Sequence, residues 1–312
     1  MRVESVTSAQ NRKVKTLLAL QEKARLRKEM GLFVVEGRRE LEHCVRAGFE
    51  IDTLFVCPEI FGISLSENVG LAFGHSSAIR QTALTRNADP SRVNAPECPK
   101  PDRMQDSMQD QMPGLEILSS AGQIVEVPRE LYEKIAYRGG TEGMIAEVKV
   151  RGKGLGDLML PDNPLVVVLE GVEKPGNLGA VLRSADAAGA DAVLICDPLT
   201  DLYNPNLIRA SIGAVFTVNV VCCGSGEAIK WLKDNNIKIY TAQLQDSSWY
   251  YDTDMRGGTA IVIGTEATGL TDAWREAADA HIRIPMLGEL DSLNASVSAA
   301  ILLFEAVRQR NA

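Results

Sequence analysis

Leu165-Val-Val-Val-Leu-Glu-Gly-Val-Glu-Lys-Pro-Gly-Asn-Leu-Gly-Ala-Val-Leu-Arg183 decides the fold class. Leu165 to Leu169 is a short apolar run bounded by turn residues, which predicts a buried strand. Glu170 to Gly176 then supplies two glycines and a proline, so the chain turns rather than extends. Asn177 stands where a helix N-cap belongs. Beyond it Leu178, Val181, Leu182 and Ala185 fall at i, i+3, i+4 and i+7, one apolar face that must pack on a sheet. Arg183 lies off that face.

Strand followed by helix recurs to the C-terminus. The pattern predicts strands at Ala192–Cys196, Val218–Cys222, Ile237–Thr241 and Ala260–Gly264. Helices are expected at Asn206–Ser211, Glu227–Asn235 and Asn294 to Gln309. Alternation of this kind predicts an α/β domain with a mostly parallel sheet and helices on both faces. The last helix contains Val297-Ser-Ala-Ala-Ile-Leu-Leu-Phe304, apolar nearly all round, so it needs cover on more than one side. Ala299 and Ala300 would allow a second subunit to pack closely there.

Two further segments pair glycine with a polar side chain at the end of an apolar run. Gly264-Thr-Glu-Ala-Thr-Gly269 follows the strand ending at Ile263, and its glycines let a ligand approach the backbone. Such a loop, at the carboxyl end of a strand, is where α/β folds hold ligands. Glu266 there also suits the N-terminus of a helix beginning near Thr271. Ile284-Pro-Met-Leu-Gly-Glu-Leu-Asp-Ser-Leu-Asn294 leads into the last helix, which Ser292 or Asn294 could cap. Taken singly, Asn177 and Arg183 also read as a capping residue and a surface cation. An Arg so placed equally suits bidentate contact with a phosphate.

The N-terminal half reads as a small α/β domain. Its expected elements are a helix over Asn11–Met30, a strand Leu32–Glu36, a helix Arg39–Ala47 and a strand Ile51–Cys57. After these, residues 61–114 turn rich in Ser, Asn, Pro, Gln, Met and Asp, with no apolar face, and read as a mobile insertion. Gln123–Val127, a helix Arg129–Ile135 and Gly143–Val150 resume the pattern. Glycine- and proline-rich residues 151–163 read as a linker. The domains expected are thus 1–150 and 164–312.

Forty-five per cent apolar and 24% charged residues describe a globular chain, long enough at 312 residues for two cores. Neither a signal peptide nor a run of about 20 apolar residues is present, which predicts a cytoplasmic protein without membrane attachment. Six cysteines include no Cys-x-x-Cys and accompany only three histidines, so metal binding is not expected. The net charge of −8 argues mildly against nucleic acid, yet residues 1–40 hold ten basic against five acidic side chains, a local +5. That excess suits an exposed charged helix over 14–29 and an RNA-facing patch equally well.

The three glycine-bearing segments, in this order, resemble the signature motifs of the SpoU (TrmH-like) RNA 2′-O-ribose methyltransferases of the SPOUT superfamily. Asn204-Pro-Asn-Leu-Ile-Arg-Ala-Ser-Ile-Gly-Ala-Val-Phe216 is family-like as well. Ser8-Ala-Gln-Asn-Arg12 and Phe33-Val-Val-Glu-Gly37 resemble the L30e-like substrate-binding domain of many members. The resemblance implies a C-terminal trefoil knot and homodimers with the site near the subunit interface. S-adenosylmethionine would be bound in the knot chiefly by backbone at Gly264, Ile284 and Leu293. It further implies that Asn177, Arg183, Glu266, Ser292 and Asn294 are the catalytic residues, and that the substrate is RNA, with ribosomal RNA expected over transfer RNA.

A guanidinium is a poor base at working pH, so Arg183 is expected to anchor phosphate and stabilise charge. A Rossmann oxidoreductase is disfavoured, because no Gly-x-Gly-x-x-Gly follows the strand Leu165–Leu169. A non-catalytic RNA-binding or ribosome-assembly protein would not need the complete catalytic set.

Overall fold

The computed structural model describes residues 2–62, 112–137, 142–265, 268–289 and 292–312. The chain divides into two compact units, one of Met1–Ala19 and Val34–Lys149, the other of Leu20–Phe33 and Val150–Ala312.

The first is built on a five-stranded sheet. Its strands are β1 (Arg2–Ser5), β2 (Leu32–Glu36), β3 (Ile51–Val56), β4 (Ala121–Glu126) and β5 (Met144–Lys149), in the order β1-β4-β3-β5-β2. β3 is central, parallel to β4 and antiparallel to β5, and buries Leu54, Phe55 and Val56 completely. The helices of the N-terminal half are α1 (Arg12–Glu22), α2 (Ala24–Met30), α3 (Arg38–Arg46), α4 (Pro58–Phe61), α5 (Met112–Ser120) and α6 (Arg129–Ile135), of which α2 belongs to the second unit.

The single helix expected over 11–30 is two, broken at Lys23, whose backbone is extended. Nor is its charged face wholly solvated. Arg27 is buried in an ion pair with Asp201 within the second unit, its Nε 2.5 Å from Oδ2, while Nη1 donates to the Leu20 carbonyl. The expected insertion, 61–114, overlaps helices at both ends. Phe61 closes α4, and α5 begins at Met112 and buries Ile117 and Leu118. Residues 63–111 lie outside the described residues.

The second unit holds a seven-stranded sheet of β6 (Leu165–Glu170), β7 (Ala192–Cys196), β8 (Val220–Cys223), β9 (Lys238–Ala242), β10 (Ser248–Trp249), β11 (Thr259–Ile263) and β12 (Ala280–Arg283). Their order is β10-β12-β9-β11-β6-β7-β8, and every neighbouring pair is parallel. The helices here are α7 (Pro175–Ala187), α8 (Pro205–Ser211), α9 (Ala214–Thr217), α10 (Ser225–Asp234), α11 (Asp272–Ala277) and α12 (Ala295–Arg310). β6, β7 and β11 are buried along their whole length, as strands covered on both faces must be. Val166, Val168, Leu194, Ile239 and Val262 share a core with the fully buried Trp274. Leu155, in the short 3₁₀ turn Leu155–Asp157, joins that core.

Gly179 sits mid-helix, where glycine costs about 1 kcal/mol relative to alanine. The packing explains it: a Cβ there would lie 2.6 Å from the Ala210 Cβ and 2.8 Å from the Ser211 nitrogen. α7 and α8 therefore approach to a distance only glycine allows. At the far end, Arg310 ties α12 back to the sheet by donating to the carbonyls of Asn163, Pro164, Met255 and Gly257.

Candidate active site

A parallel sheet sends every strand's carboxyl end to one edge. The loops after β6, β11 and β12 therefore meet there, and they are the three glycine-bearing segments. The crossing of chain order between β6 and β11 is the place where open α/β sheets bind ligands.

The loop after β11 is closed on itself. Thr265 N donates to the Gly269 carbonyl at 3.2 Å and Gly269 N returns the bond to Thr265 at 3.1 Å. Thr265 and Thr268 hydroxyls meet at 2.8 Å. Gly269 is left-handed at φ 69°, and a Cβ on Gly264 would lie 2.7 Å from Leu270 N and closer still to the Gly269 carbonyl. Both glycines are thus required by the turn. Glu266 lies outside the described residues.

Glu170 fixes the exit of that loop. Its buried carboxylate accepts from Thr271 N at 2.9 Å, from Thr271 Oγ1 at 2.7 Å and from Ser225 Oγ at 3.3 Å. Ser225 in turn accepts from the Trp274 indole at 2.9 Å. The end of β6 and the start of α11 are so joined through a residue that sequence reasoning passed over.

Asn177 is not the N-cap of α7. Pro175 occupies the first helical position and Lys174 the cap, so Asn177 is the third residue of the helix. Its Oδ1 accepts from Asn294 Nδ2 at 3.1 Å, which brings the first and third segments together. Asn294 does cap α12: its Oδ1 accepts from Ser296 N at 3.0 Å. Arg183 is exposed and makes no ion pair or hydrogen bond with a described residue.

Gly264, Thr265, Gly269, Ile284, Ser292 and Leu293 line one cavity of about 300 Å³, the lower end of the range for small-molecule sites. Ile263, Leu270 and Leu302 give it an apolar wall. Gln243, Arg275 and Arg283 also line it, while Gln243 Oε1, Arg275 Nε and Arg283 Nε are buried away from its open surface, with no hydrogen-bond partner among the described residues. Asn177 and Arg183 do not line it. None of the three side chains with orphaned atoms carries a motif signal; only the fold brings them together.

Fold and cavity define an α/β protein with a candidate small-molecule site at the carboxyl edge of a parallel sheet. Comparison with known proteins is more specific. The SpoU rRNA Methylase family model matches residues 164–304, and the MRM3-like substrate binding domain model matches residues 11–94. The 23S rRNA (guanosine-2′-O-)-methyltransferase RlmB of Escherichia coli K12 is 35% identical over 207 residues, 64% of this chain and 85% of the relative. A crystal structure of an RNA 2′-O ribose methyltransferase aligns at 32% identity with a TM-score of 0.72, covering 99% of this chain and 100% of that one. The SpoU methyltransferase AviRb of Streptomyces viridochromogenes, in complex with AdoMet, aligns at 25% identity and TM-score 0.72, covering 97% and 99%. The chain belongs to the SpoU rRNA methylase family, a family of RNA methyltransferases.

Proposed function

We propose that the chain transfers the methyl group of S-adenosylmethionine to a ribose 2′-hydroxyl of ribosomal RNA. The observation that carries this reading is the single cavity in which Gly264, Ile284, Ser292 and Leu293 converge, with Asn294 bonded to Asn177 beside it. The residues fit the methyl donor. Backbone of the closed loop would meet the polar edges of a nucleoside, and Ile263, Leu270 and Leu302 would cover its apolar surface. AviRb, of the same fold, holds AdoMet.

When bound, S-adenosylmethionine supplies an electrophilic methyl carbon. The chain's own task is to bring the 2′-oxygen in line with it, since proximity and orientation provide much of the acceleration. That hydroxyl also separates RNA from DNA. The unpaired guanidinium of Arg183 anchors a substrate phosphate and stabilises developing charge. The Asn177–Asn294 pair holds the loops before α7 and α12 in register. Glu266 and Ser292 complete the catalytic set.

Ribosomal RNA is favoured over transfer RNA by the likeness to RlmB and by the substrate-binding domain match. In this reading residues 1–150 hold the RNA, with 61–114 as an insertion, 151–163 join the domains, and 164–312 carry the transfer. The protein works in the cytoplasm. Its C-terminal segment is threaded as the trefoil knot of the family. It acts as a homodimer: Arg183 does not line the cavity of its own chain, and Val297 and Phe304 on α12 stay nearly half exposed, at 46% and 47%. A second copy would cover them and bring its own Arg183 to the site. The test is transfer of labelled methyl from S-adenosylmethionine to transcribed ribosomal RNA. The label is expected on ribose; label only on bases or on protein would overturn the reading.

A further inference from the structure

Cys196 closes β7 and Cys223 closes β8, and the two residues are register partners on neighbouring parallel strands. Their side chains therefore stand on one face of the sheet, with the sulfurs 3.9 Å apart. Neighbouring strands run about 4.8 Å apart, within the Cα separations of about 4.4–6.8 Å that a disulfide spans. β8 is the last strand of its sheet, so its end can yield toward β7. Cys222, one residue earlier, belongs to the opposite face. Cys196 is fully buried and Cys223 half-buried, so a small oxidant reaches Cys223 first. The hydrogen bond between the sulfurs holds the Cys223 thiol below its ordinary pKa, against burial and the charges of Glu227 and Asp197. The same bond and burial push Cys196 up. Cys223 is thus the nucleophile, and Cys196 the thiol that resolves it.

The pair adjoins the residues that hold the closed loop. Gly171 N, in the loop after β6, donates to the Cys196 carbonyl at 3.0 Å, and Asp197 N donates to the Cys223 carbonyl at 3.0 Å. Asp197 is left-handed at φ 48° and accepts from Ser225 N at 3.2 Å and Ser225 Oγ at 2.6 Å. Ser225 Oγ also lies 3.3 Å from the Glu170 carboxylate that fixes Thr271. We propose that Cys196 and Cys223 are an oxidation site for hydrogen peroxide, and that their disulfide weakens binding in the cavity by displacing the Glu170 anchor. The Cys223 thiolate attacks one peroxide oxygen, the O–O bond breaks, and the departing hydroxide takes up the thiol's proton as water. The Cys196 sulfur then loses its proton and attacks the resulting sulfenic acid at sulfur. The S–S bond forms, the S–O bond breaks and a second water leaves, so two thiols are oxidised and one peroxide is reduced. Drawing the sulfurs from 3.9 Å to about 2.05 Å shifts both strand ends and, through Asp197 and Ser225, the exit of the loop. The effect on binding rests on the cavity being the S-adenosylmethionine site; the oxidation does not.

Peroxide treatment of the full chain, then alkylation, digestion without reductant and mass spectrometry, tests the site with no ligand present. The expected product is a Cys196–Cys223 cross-linked peptide, short of two hydrogens, which dithiothreitol removes and Cys222→Ser retains. Cys196→Ser should stop at a sulfenic acid on Cys223 that dimedone captures. Free Cys196 after peroxide, or Cys223 joined to Cys222 or Cys98 instead, overturns the site. Calorimetry with S-adenosylhomocysteine, the demethylated product, reads the coupling. Oxidised wild type should bind about 10-fold more weakly than reduced, as for a lost hydrogen bond to a charged group, and recover on reduction. Peroxide should leave the affinity of Cys223→Ser within about twofold of its untreated value. Unchanged wild-type affinity with the disulfide formed overturns the coupling. So does an equal loss in Cys223→Ser, which would place the damage elsewhere in the chain. A reduced wild-type chain that binds no S-adenosylhomocysteine refutes the cofactor site, and the coupling with it, while the mapped disulfide stands on its own.

Discussion

Gly264→Ala puts one methyl group into the tightest backbone approach of the site. The new Cβ would stand 2.7 Å from Leu270 N and closer to the Gly269 carbonyl. Carbon contacts are ordinarily about 3.5 Å, so Leu270 N must retreat by about 0.8 Å. Every atom in the way is backbone, and the loop is held shut by the paired Thr265–Gly269 hydrogen bonds, so no rotamer change relieves the clash. Overpacking of this kind costs about 1–3 kcal/mol. The same displacement moves the cavity wall that the nucleoside would contact, and loss of one or two hydrogen bonds at about 1.4 kcal/mol each weakens binding about 10- to 100-fold. Calorimetry with S-adenosylhomocysteine and thermal unfolding read both effects. Gly176→Ala is the control, since its Cβ meets nothing within 4 Å and its helix gains from alanine. If Gly264→Ala binds within threefold of wild type and melts unchanged, the closed loop is not the cofactor wall and the reasoning fails.

Arg183→Ala should lower turnover about 100-fold or more, as for loss of one charge-stabilising group, while calorimetric cofactor affinity stays within about twofold. Normal turnover would remove Arg183 from the mechanism. Glu147, buried on β5 with Oε1 unpartnered, has its pKa raised from 4.5 to about 7 by burial, then by Asp52, against the opposing pull of Lys13. A raised acid binds its proton more tightly in the folded state, so stability falls as pH climbs from 4.5 through 7, by at most about 3 kcal/mol. Glu147→Gln should therefore be the more stable form in urea at pH 8 and lose that advantage by pH 4.5; a constant difference across that range contradicts the assignment. A Cβ on Gly114 would lie 2.8 Å from the Phe61 ring, so the two ends of segment 63–111 are neighbours. Replacing Ser64–Gln111 by a short Gly/Ser linker should leave a folded chain that binds S-adenosylhomocysteine, with RNA affinity reduced, and failure to fold would show that the stretch is structural.

The parallel sheet was legible because β6, β7 and β11 are uninterrupted apolar runs, the mark of strands covered on both faces. β12, with the sequence Ala-His-Ile-Arg, and the two-residue β10 buried too little apolar surface to announce themselves, and β1 is similarly short and polar. The break at Lys23 carries neither glycine nor proline, so nothing local marks it. Asn177 was misplaced by three positions because Pro175, a residue that reads as a turn, in fact starts the helix. Gly264, Ile284, Ser292 and Leu293 were recognised through their motifs and do share a cavity. Glu170 and Arg283 meet partners far off in sequence, Thr271 for Glu170 and Trp249 for Arg283, and Gln243 and Arg275 come to the cavity wall from separate elements. No spacing in the chain encodes those meetings.

The central claim is a methyl group on an RNA ribose, and the most direct measurement maps 2′-O-methylation across total RNA from cells with and without the gene. One nucleotide of ribosomal RNA should lose its 2′-O-methyl group when the gene is absent, and regain it with the wild-type chain but not with Arg183→Ala. Unchanged ribose methylation of ribosomal RNA, or a loss confined to transfer RNA or to bases, would contradict the account.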